Sequence, residues 1–479
     1  MRTLNNLTKV LALCALALPA TPALALETLI LPAVDVRAAL AQDNKAAPAR
    51  WQFAVPVRVN IRPQTHGLWK TLADGRRQWS MRVRSAQATS LNFHFAQLQL
   101  PPEAELVLES AQDQQMIEGG EHGIRGEYWS RVLRGDTVDL ILTTPPGPPV
   151  ELQVAAVNHG FRGFGADDAY TKSGSCNIDV VCEVADEWRD EIRSVARYTV
   201  NGAFLCSGQM VNNTAQDFRP LFLTASHCVQ TPLEPATMVF YWNYETSTCG
   251  GTPDGSLEQS TAGAQFLAGS LLATDFGPDF TLVELTEAPP EDFNVYWAGW
   301  DNRDIAYEDV TTIHHPAGDE KRISFFNGAT EITAYLGEAG EPDLLGQTDT
   351  HLKIADWDLG TTEGGSSGSG LWSADRHIVG QLSGGFASCS SQTADWYGRM
   401  HTNWFGFPGQ LTSVATHLDP LNTGAEFLDG ADPLVPAEEE AAGVGDEPVD
   451  SRMGTSAGSL SLLWLLLMLG LSRGYGRRR

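Results

Sequence analysis

Cysteine is missing from long parts of this chain. None of its seven cysteines falls between residues 26 and 175, and none follows Cys389. No CxxC pair occurs: Cys176 and Cys182 are too widely spaced, and no paired-histidine spacing accompanies them, which argues against a zinc ribbon. Cys14 lies in an apolar run behind Leu13, which is not the small residue a lipid-attachment site wants, so it reads as incidental. The other six, Cys176, Cys182, Cys206, Cys228, Cys249 and Cys389, form an even set in one region. Such a set predicts three disulfides in an oxidising compartment, with fifteen pairings open on arithmetic alone.

Positive charge is scarce too. Lys and Arg number 32 against 59 Asp and Glu, a net charge of −27. Phosphate binding needs a basic face, so nucleic acid is excluded as a partner. An acidic chain stays soluble and attracts cationic substrates. Long apolar runs are confined to the two ends. At the start, Arg2, Lys9, the run "VLALCALAL" and the small-residue site Ala23-Leu24-Ala25 read as a secretory signal over residues 1–25. Nine apolar residues are too few to span a bilayer.

From 26 to 172 the chain runs in short stretches of alternating character, such as "QWSMRVRS", "SLNFHFAQLQL" and "TVDLILTT". This period of two predicts a β-rich, sandwich-like unit, closed by the polar linker "GADDAYTKSGSC". Residues 173–430 carry the six cysteines and more strands, with one brief helical stretch, "EVADEWRDEIRSVA", and predict an all-β domain of two sheets or barrels. Residues 431–456 are acidic with few large apolar side chains and are expected to be a disordered spacer. Residues 457–479 end in the apolar run Leu460 to Leu471 and in Arg477, Arg478 and Arg479. That pattern resembles the C-terminal sorting tails of bacterial exported proteins, with a degenerate glycine motif. It is expected to contact the membrane or a sorting protease transiently, with plain anchoring as the rival reading. Secretion or attachment at the cell surface follows from these two ends.

A serine hydroxyl needs a base to take its proton, a third group to orient that base, and N–H groups aimed at the developing oxyanion. In "TTEGGSSGSGL" only Ser367 has glycine two before it and one after, Gly365 and Gly368. Ser367 is therefore the candidate nucleophile, with the N–H groups of Gly365 and Ser367 as the oxyanion hole. His227, in "LFLTASHCV", ends an apolar strand beside Cys228 and is the candidate base. Asp279, in "GPDFTLVEL", precedes an alternating strand and is the candidate orienting acid, with Asp275 as its rival. The order His227, Asp279, Ser367 is that of chymotrypsin-like enzymes.

The segments "SGSCNIDVVC", "NNTA", "FLTASHC", "VFYWNYETSTC", "DFTLVEL", "WAGWDNRD", "IHHPAGDEKRIS", "EGGSSGSG", "GQLSGG" and "YGRM" together resemble bacterial lysyl endopeptidase over most of 173–430. The resemblance implies a secreted serine protease of chymotrypsin-like double-barrel fold, made as a precursor and needing no cofactor. It implies the bridges Cys176–Cys389, Cys182–Cys249 and Cys206–Cys228. It implies a substrate pocket with Asp395 at its floor and Ser383 and Gly384 beside it. A pocket carboxylate pairs with a substrate ammonium and is left unpaired by a neutral side chain. Cleavage after lysine is expected, with arginine as the second candidate. The trypsin-like position, six residues before the nucleophile, is Thr361 and carries no charge; Glu363 is the alternative acid.

Two departures from the family stand out. Ser383 occupies the place of a histidine that stacks on an aromatic, and Tyr335 stands where the family has tryptophan, so that stacking is not expected here. Asp is also missing before the nucleophile: the residue is Ser366, which excludes activation by an inward-folding N-terminus paired there. The expectation is instead that the β-rich segment is the enzyme's own propeptide, cut off at Lys172 in "AYTK|SGSC". His314 and His315 point to opposite sides of an extended chain without a carboxylate set, so no metal is expected there. Asn212-Asn213-Thr214 is formally a glycosylation acceptor. The expected partners are protein or peptide substrates with basic residues, and the expected state is a monomer. Rival functions are a silent binding or adhesion protein on the same fold, and a serine esterase.

Overall fold

The computed structural model describes residues 26–43, 50–120, 125–147, 149–164, 173–270, 277–342, 347–406 and 413–435. The leader, Lys172, Asp275, the acidic spacer after 435 and the C-terminal tail lie outside the described residues.

Residues 28–160 form two sheets. One runs in the order Thr28–Ile30, Arg77–Arg84, Thr137–Thr144, Glu105–Glu109, Gln114–Glu118, with Leu68–Thr71 added on Arg77–Arg84. The other runs Leu133–Arg134, Ser90–Gln99, Glu151–Gly160, Ala54–Ile61, with Arg125–Trp129 on Ser90–Gln99. Alternate residues of both sheets meet in one apolar core that holds Trp79, Met81, Phe93, Phe95, Leu140 and Val154. This is the packing that period-two strands require. Val36–Asp43 is an α-helix, where continuous short strands were expected from Leu26 on. Its sequence "VRAALAQD" is dominated by strong helix formers.

Residues 178–428 form two antiparallel barrels. In the first, the strand order is Ser260–Ala262, Val239–Trp242, Val195–Val200, Phe204–Met210, Leu221–Ala225, Phe280–Leu285, Ala264–Gly269. The two end strands are one stretch of chain interrupted only by Gly263. Gly263 donates to the Met238 carbonyl, and Thr286 donates to Gly263, so the sheet closes on itself. The second barrel orders Arg322–Ala329, Glu308–His314, Gly370–Trp372, His377–Gly385, Asp395–Arg399, His351–Ile354, Glu331–Thr333. Ile178–Asp179 adds to the outer edge of Arg322–Ala329, and that strand continues through Thr330 into Glu331–Thr333. Closure removes the sheet edges and lets whole strands, such as Val195–Val200, be buried on both faces. The brief helical stretch is a 3₁₀ turn, Glu183–Trp188, followed by the α-helix Arg189–Ser194. This is a chymotrypsin-like double β-barrel preceded by a β-sandwich.

Three disulfides join Cys176 to Cys389, Cys182 to Cys249 and Cys206 to Cys228. One strand of the amino-terminal region leaves its own sandwich: Trp51–Gln52 pairs with Phe204–Leu205 of the first barrel.

Candidate active site

His227 follows the strand Leu221–Ala225, and Asp279 precedes the neighbouring strand Phe280–Leu285. Their pairing brings the two residues together although 52 positions separate them. The His227 Nδ1 lies 2.7 Å from Asp279 Oδ2. The other carboxylate oxygen accepts the His227 main-chain N–H and the Ser226 hydroxyl, each at 2.8 Å. Burial pushes the Asp279 carboxyl up. The His227 imidazole and the hydrogen bonds from His227 and Ser226 outweigh it, so the group sits below its ordinary value.

Ser367 comes from the second barrel, in the turn that leads into Gly370–Trp372. Its carbonyl accepts the Ser207 N–H at 2.9 Å and lies 3.9 Å from Cys228 Sγ, so the serine sits against the disulfide that flanks His227. Gly368 takes φ +84°, and a Cβ there would fall 2.1 Å from Thr224 Oγ1 and 2.5 Å from the Ser207 carbonyl. Only glycine allows the nucleophile turn to approach the strand that carries His227. Among the described residues the Ser367 hydroxyl makes no hydrogen bond. In an uncomplexed enzyme the hydrogen bond between nucleophile and base is often long and tightens when substrate binds.

Around Ser367 the amides divide in a useful way. Ser366 N donates to the Glu363 carbonyl and Gly368 N to Leu382. The N–H groups of Gly365 and Ser367 have no acceptor among the described residues. Gly365 has φ +97°, and its carbonyl is held by the Ser207 hydroxyl at 2.9 Å. That hydroxyl in turn accepts the His315 N–H.

Asp395 begins the strand Asp395–Arg399 and is 1% exposed. Oδ2 accepts Trp357 Nε1 at 2.8 Å and the Thr362 hydroxyl at 2.7 Å; Oδ1 accepts Ala387 N at 3.4 Å. All three donors are neutral, and burial pushes the carboxyl above its ordinary value. Thr362 ties the acid to the loop that carries Ser367. Gly384 takes φ +145° next to the Tyr335 hydroxyl, and Gly385 touches Asp395 so closely that a Cβ would fall 2.1 Å from Oδ1. The carboxylate of Glu363, the alternative pocket acid, accepts the Gly174 N–H at 3.1 and 3.2 Å.

Other expectations meet the structure differently. A histidine–aromatic contact does form near Ser383: the His351 and Tyr335 rings are 5.2 Å apart, and His351 Nε2 lies 3.0 Å from Ser383 Oγ. The imidazole comes from His351–Ile354, one strand beyond Asp395–Arg399 in the sheet, rather than from position 383, which is why the local motif did not reveal it. His314 and His315 are buried. His314 Nδ1 meets Ser366 Oγ at 2.7 Å and its Nε2 meets Ser324 at 3.2 Å, while His315 Nδ1 lies 3.0 Å from the Asp319 carbonyl. The sulfurs within 4.8 Å of the His227 ring are those of Cys206 and Cys228, already spent on each other. Asn212 and Asn213 are buried, so the glycosylation pattern is inaccessible in this fold. Sequence reasoning missed Ser226, Ser207, Trp357 and Thr362. Ser226, adjacent to His227, could have been suspected; Trp357 had no local signal.

Residues 170–398 match the family profile described as lysyl endopeptidase, C-terminal domain. A lysyl endopeptidase of Pseudomonas aeruginosa is 30% identical over 332 residues, which cover 63% of this chain and 65% of the relative, so the chain spans less than two thirds of that relative's length. Among solved structures, a Glu endopeptidase in complex with MPD is matched at TM-score 0.29 and 15% identity, over 43% of this chain and 85% of that one. An inactive form of Rv3671c from M. tuberculosis H37Rv is matched at TM-score 0.28 and 13% identity, over 48% of this chain and 91% of that one. Over residues 170–398 the chain is lysyl-endopeptidase-like.

Proposed function

We propose that the protein is an exported serine endopeptidase that cuts after lysine and is made as a precursor. The observation that carries this reading is the His227–Asp279 contact at 2.7 Å beside the Ser367 turn. Ser367 Oγ attacks the scissile carbonyl while His227 Nε2 takes its proton. Asp279 holds the Nδ1 tautomer and balances the imidazolium that forms. The free amides of Gly365 and Ser367 receive the oxyanion. His227 then returns the proton to the leaving amine, the acyl-enzyme remains, and water hydrolyses it by the same steps in reverse.

Lysine preference is supported by Asp395, a buried carboxylate with neutral donors. Charge on it is costly until a substrate ammonium arrives, so the cation is selected over neutral side chains. Arginine is the competing substrate. Export rests on the leader, and attachment or release on the tail. Residues 26–172 act as a propeptide removed after Lys172. Lys172→Ala should leave the precursor uncut, and a normal mature N-terminus from that variant would refute self-processing.

The deciding experiment digests a denatured protein with this one and reads, by mass spectrometry, the residue before each cut. Lysine at nearly every cut supports the proposal. Mixed residues sink the pocket assignment. Absence of cutting together with absence of fluorophosphonate labelling at Ser367 favours the silent binding protein. Turnover of plain esters without peptide cleavage favours the esterase.

A further inference from the structure

The strand Trp51–Gln52 is the part of the amino-terminal region that joins a barrel sheet. It pairs antiparallel with Phe204 and Leu205, in the strand that continues through Cys206 to Ser207, whose N–H binds the Ser367 carbonyl. A peptide lying on Phe204–Leu205 therefore passes directly beside the nucleophile turn. Pairing continues past the strand, with Phe53 N and Ala54 N both donating to the Ala203 carbonyl.

The Trp51 side chain fits a shelf that lacks side chains where the ring lies. A Cβ on Gly364 would fall 2.5 Å from Trp51 Cδ1, and one on Gly318 would fall 3.1 Å from Trp51 Cζ3 and 3.1 Å from Leu205 Cδ1. Gly364 adjoins Gly365, whose amide is free. The Arg162 guanidinium lies 4.1 Å from the centroid of the Trp51 ring, and its Nε donates to the Gln52 carbonyl. The indole is thus held between the barrel glycines and a cation of its own domain. Asp395 is held by Trp357, Thr362 and Ala387, all of the barrel domain.

We infer that Leu205, Gly318 and Gly364 form a subsite for a flat aromatic side chain on the leaving-group side of the cut, and that Trp51 fills it in the uncleaved chain. The inference rests on the serine endopeptidase reading and deepens it. The amino-terminal domain blocks the enzyme by β-augmentation, occupying one side of the cleft as a substrate strand would. Among the described residues no group of the amino-terminal domain hydrogen-bonds Asp395, so the block does not run through the lysine pocket. Once the domain departs, the subsite favours peptides with an aromatic residue shortly after the cut.

The test uses the full chain carrying Lys172→Ala, alone and with Trp51→Ala or Trp51→Phe. Two substrates are compared: an N-acyl-lysine methyl ester, with almost nothing beyond the cut, and a lysyl peptide with four residues after lysine. The uncut chain should turn over the ester but cleave the peptide at least tenfold less efficiently than the processed enzyme does. Trp51→Ala should restore peptide cleavage, and Trp51→Phe should keep the block. In the processed enzyme, Gly364→Ala should erode the preference for aromatic over glycine residues after the cut. Ester turnover with unhindered peptide cleavage, or a block that survives Trp51→Ala, overturns the inference alone. Loss of ester turnover and of fluorophosphonate labelling in the processed enzyme overturns the endopeptidase reading and this inference with it.

Discussion

Asp279 holds His227 at two points: Oδ2 meets the ring Nδ1 at 2.7 Å, and Oδ1 accepts the main-chain N–H of the same residue at 2.8 Å. One carboxylate therefore fixes both the backbone and the tautomer of the imidazole. Ser226 adds a third restraint on Oδ1. The carboxylate cannot rotate without breaking all three bonds.

Replacing Asp279 by Asn should keep the main-chain bond but present an amide to Nδ1. The amide can donate there and stabilise the wrong tautomer, leaving Nε2 protonated and unable to accept from Ser367. We expect kcat to fall by on the order of 10⁴ at neutral pH with KM little changed. Steady-state kinetics on a lysyl peptide would measure it. A fall of less than tenfold would remove Asp279 from the orienting role.

Asp395→Asn keeps the shape of the pocket and removes its charge. Trp357 and Thr362 can still donate to the amide oxygen. The substrate ammonium then enters a buried site without a counter-charge, at a cost of about 3–5 kcal/mol. That corresponds to a fall in kcat/KM for lysyl peptides of roughly 10²-fold or more, while the slow cleavage of neutral peptides should be unchanged or improved. An equal loss on both classes would mean that Asp395 shapes the fold rather than the specificity.

Legibility in the sequence followed the distance over which each signal acts. The all-β character could be read because the strands are short and punctuated, while the choice of a double barrel over two sheets came from the family resemblance. The nucleophile turn could be read because glycine is required at fixed offsets from Ser367. His227 and Asp279 each announced themselves by ending or preceding a strand, but their contact depends on the pairing of Leu221–Ala225 with Phe280–Leu285. The groups that hold the site in place were hidden for the same reason. Trp357 reaches Asp395 across 38 positions, and Ser207 reaches Gly365 across 158. His351 supplies a ring that the motif around Ser383 lacks, and nothing within either segment points to the other.

Gly368 offers a sharper test of the close approach between the barrels. Its φ of +84° disfavours any L side chain, and an added methyl would collide with Thr224 Oγ1 and the Ser207 carbonyl. Gly368→Ala combines backbone strain of about 1–3 kcal/mol with a steric clash. We expect loss of fluorophosphonate labelling at Ser367 and a lower midpoint in denaturant. Unchanged labelling and stability would contradict the tight turn against Thr224.

Two buried imidazoles make stability depend on pH. Burial pushes both His314 and His351 down to about 3 from an ordinary 6.5. Each ring is neutral in the folded protein, while the unfolded chain takes up protons as pH falls below about 6.5. The unfolded state therefore binds more protons between these limits, and stability rises with pH across that window. Their contribution is fully present above 6.5 and is lost as pH falls toward 3, by on the order of 1 kcal/mol per histidine for each pH unit. His315, also held well below its ordinary value by burial, acts in the same sense, while the carboxyls that burial raises, Asp395, Glu191 to about 6 and Glu320 to about 8, work in the opposite direction. Denaturant midpoints measured at pH 7, 6 and 5 should fall steadily, and His351→Gln should flatten the dependence. A midpoint that holds constant from pH 7 to pH 5 would mean that these rings are reached by solvent and protonated in the folded state.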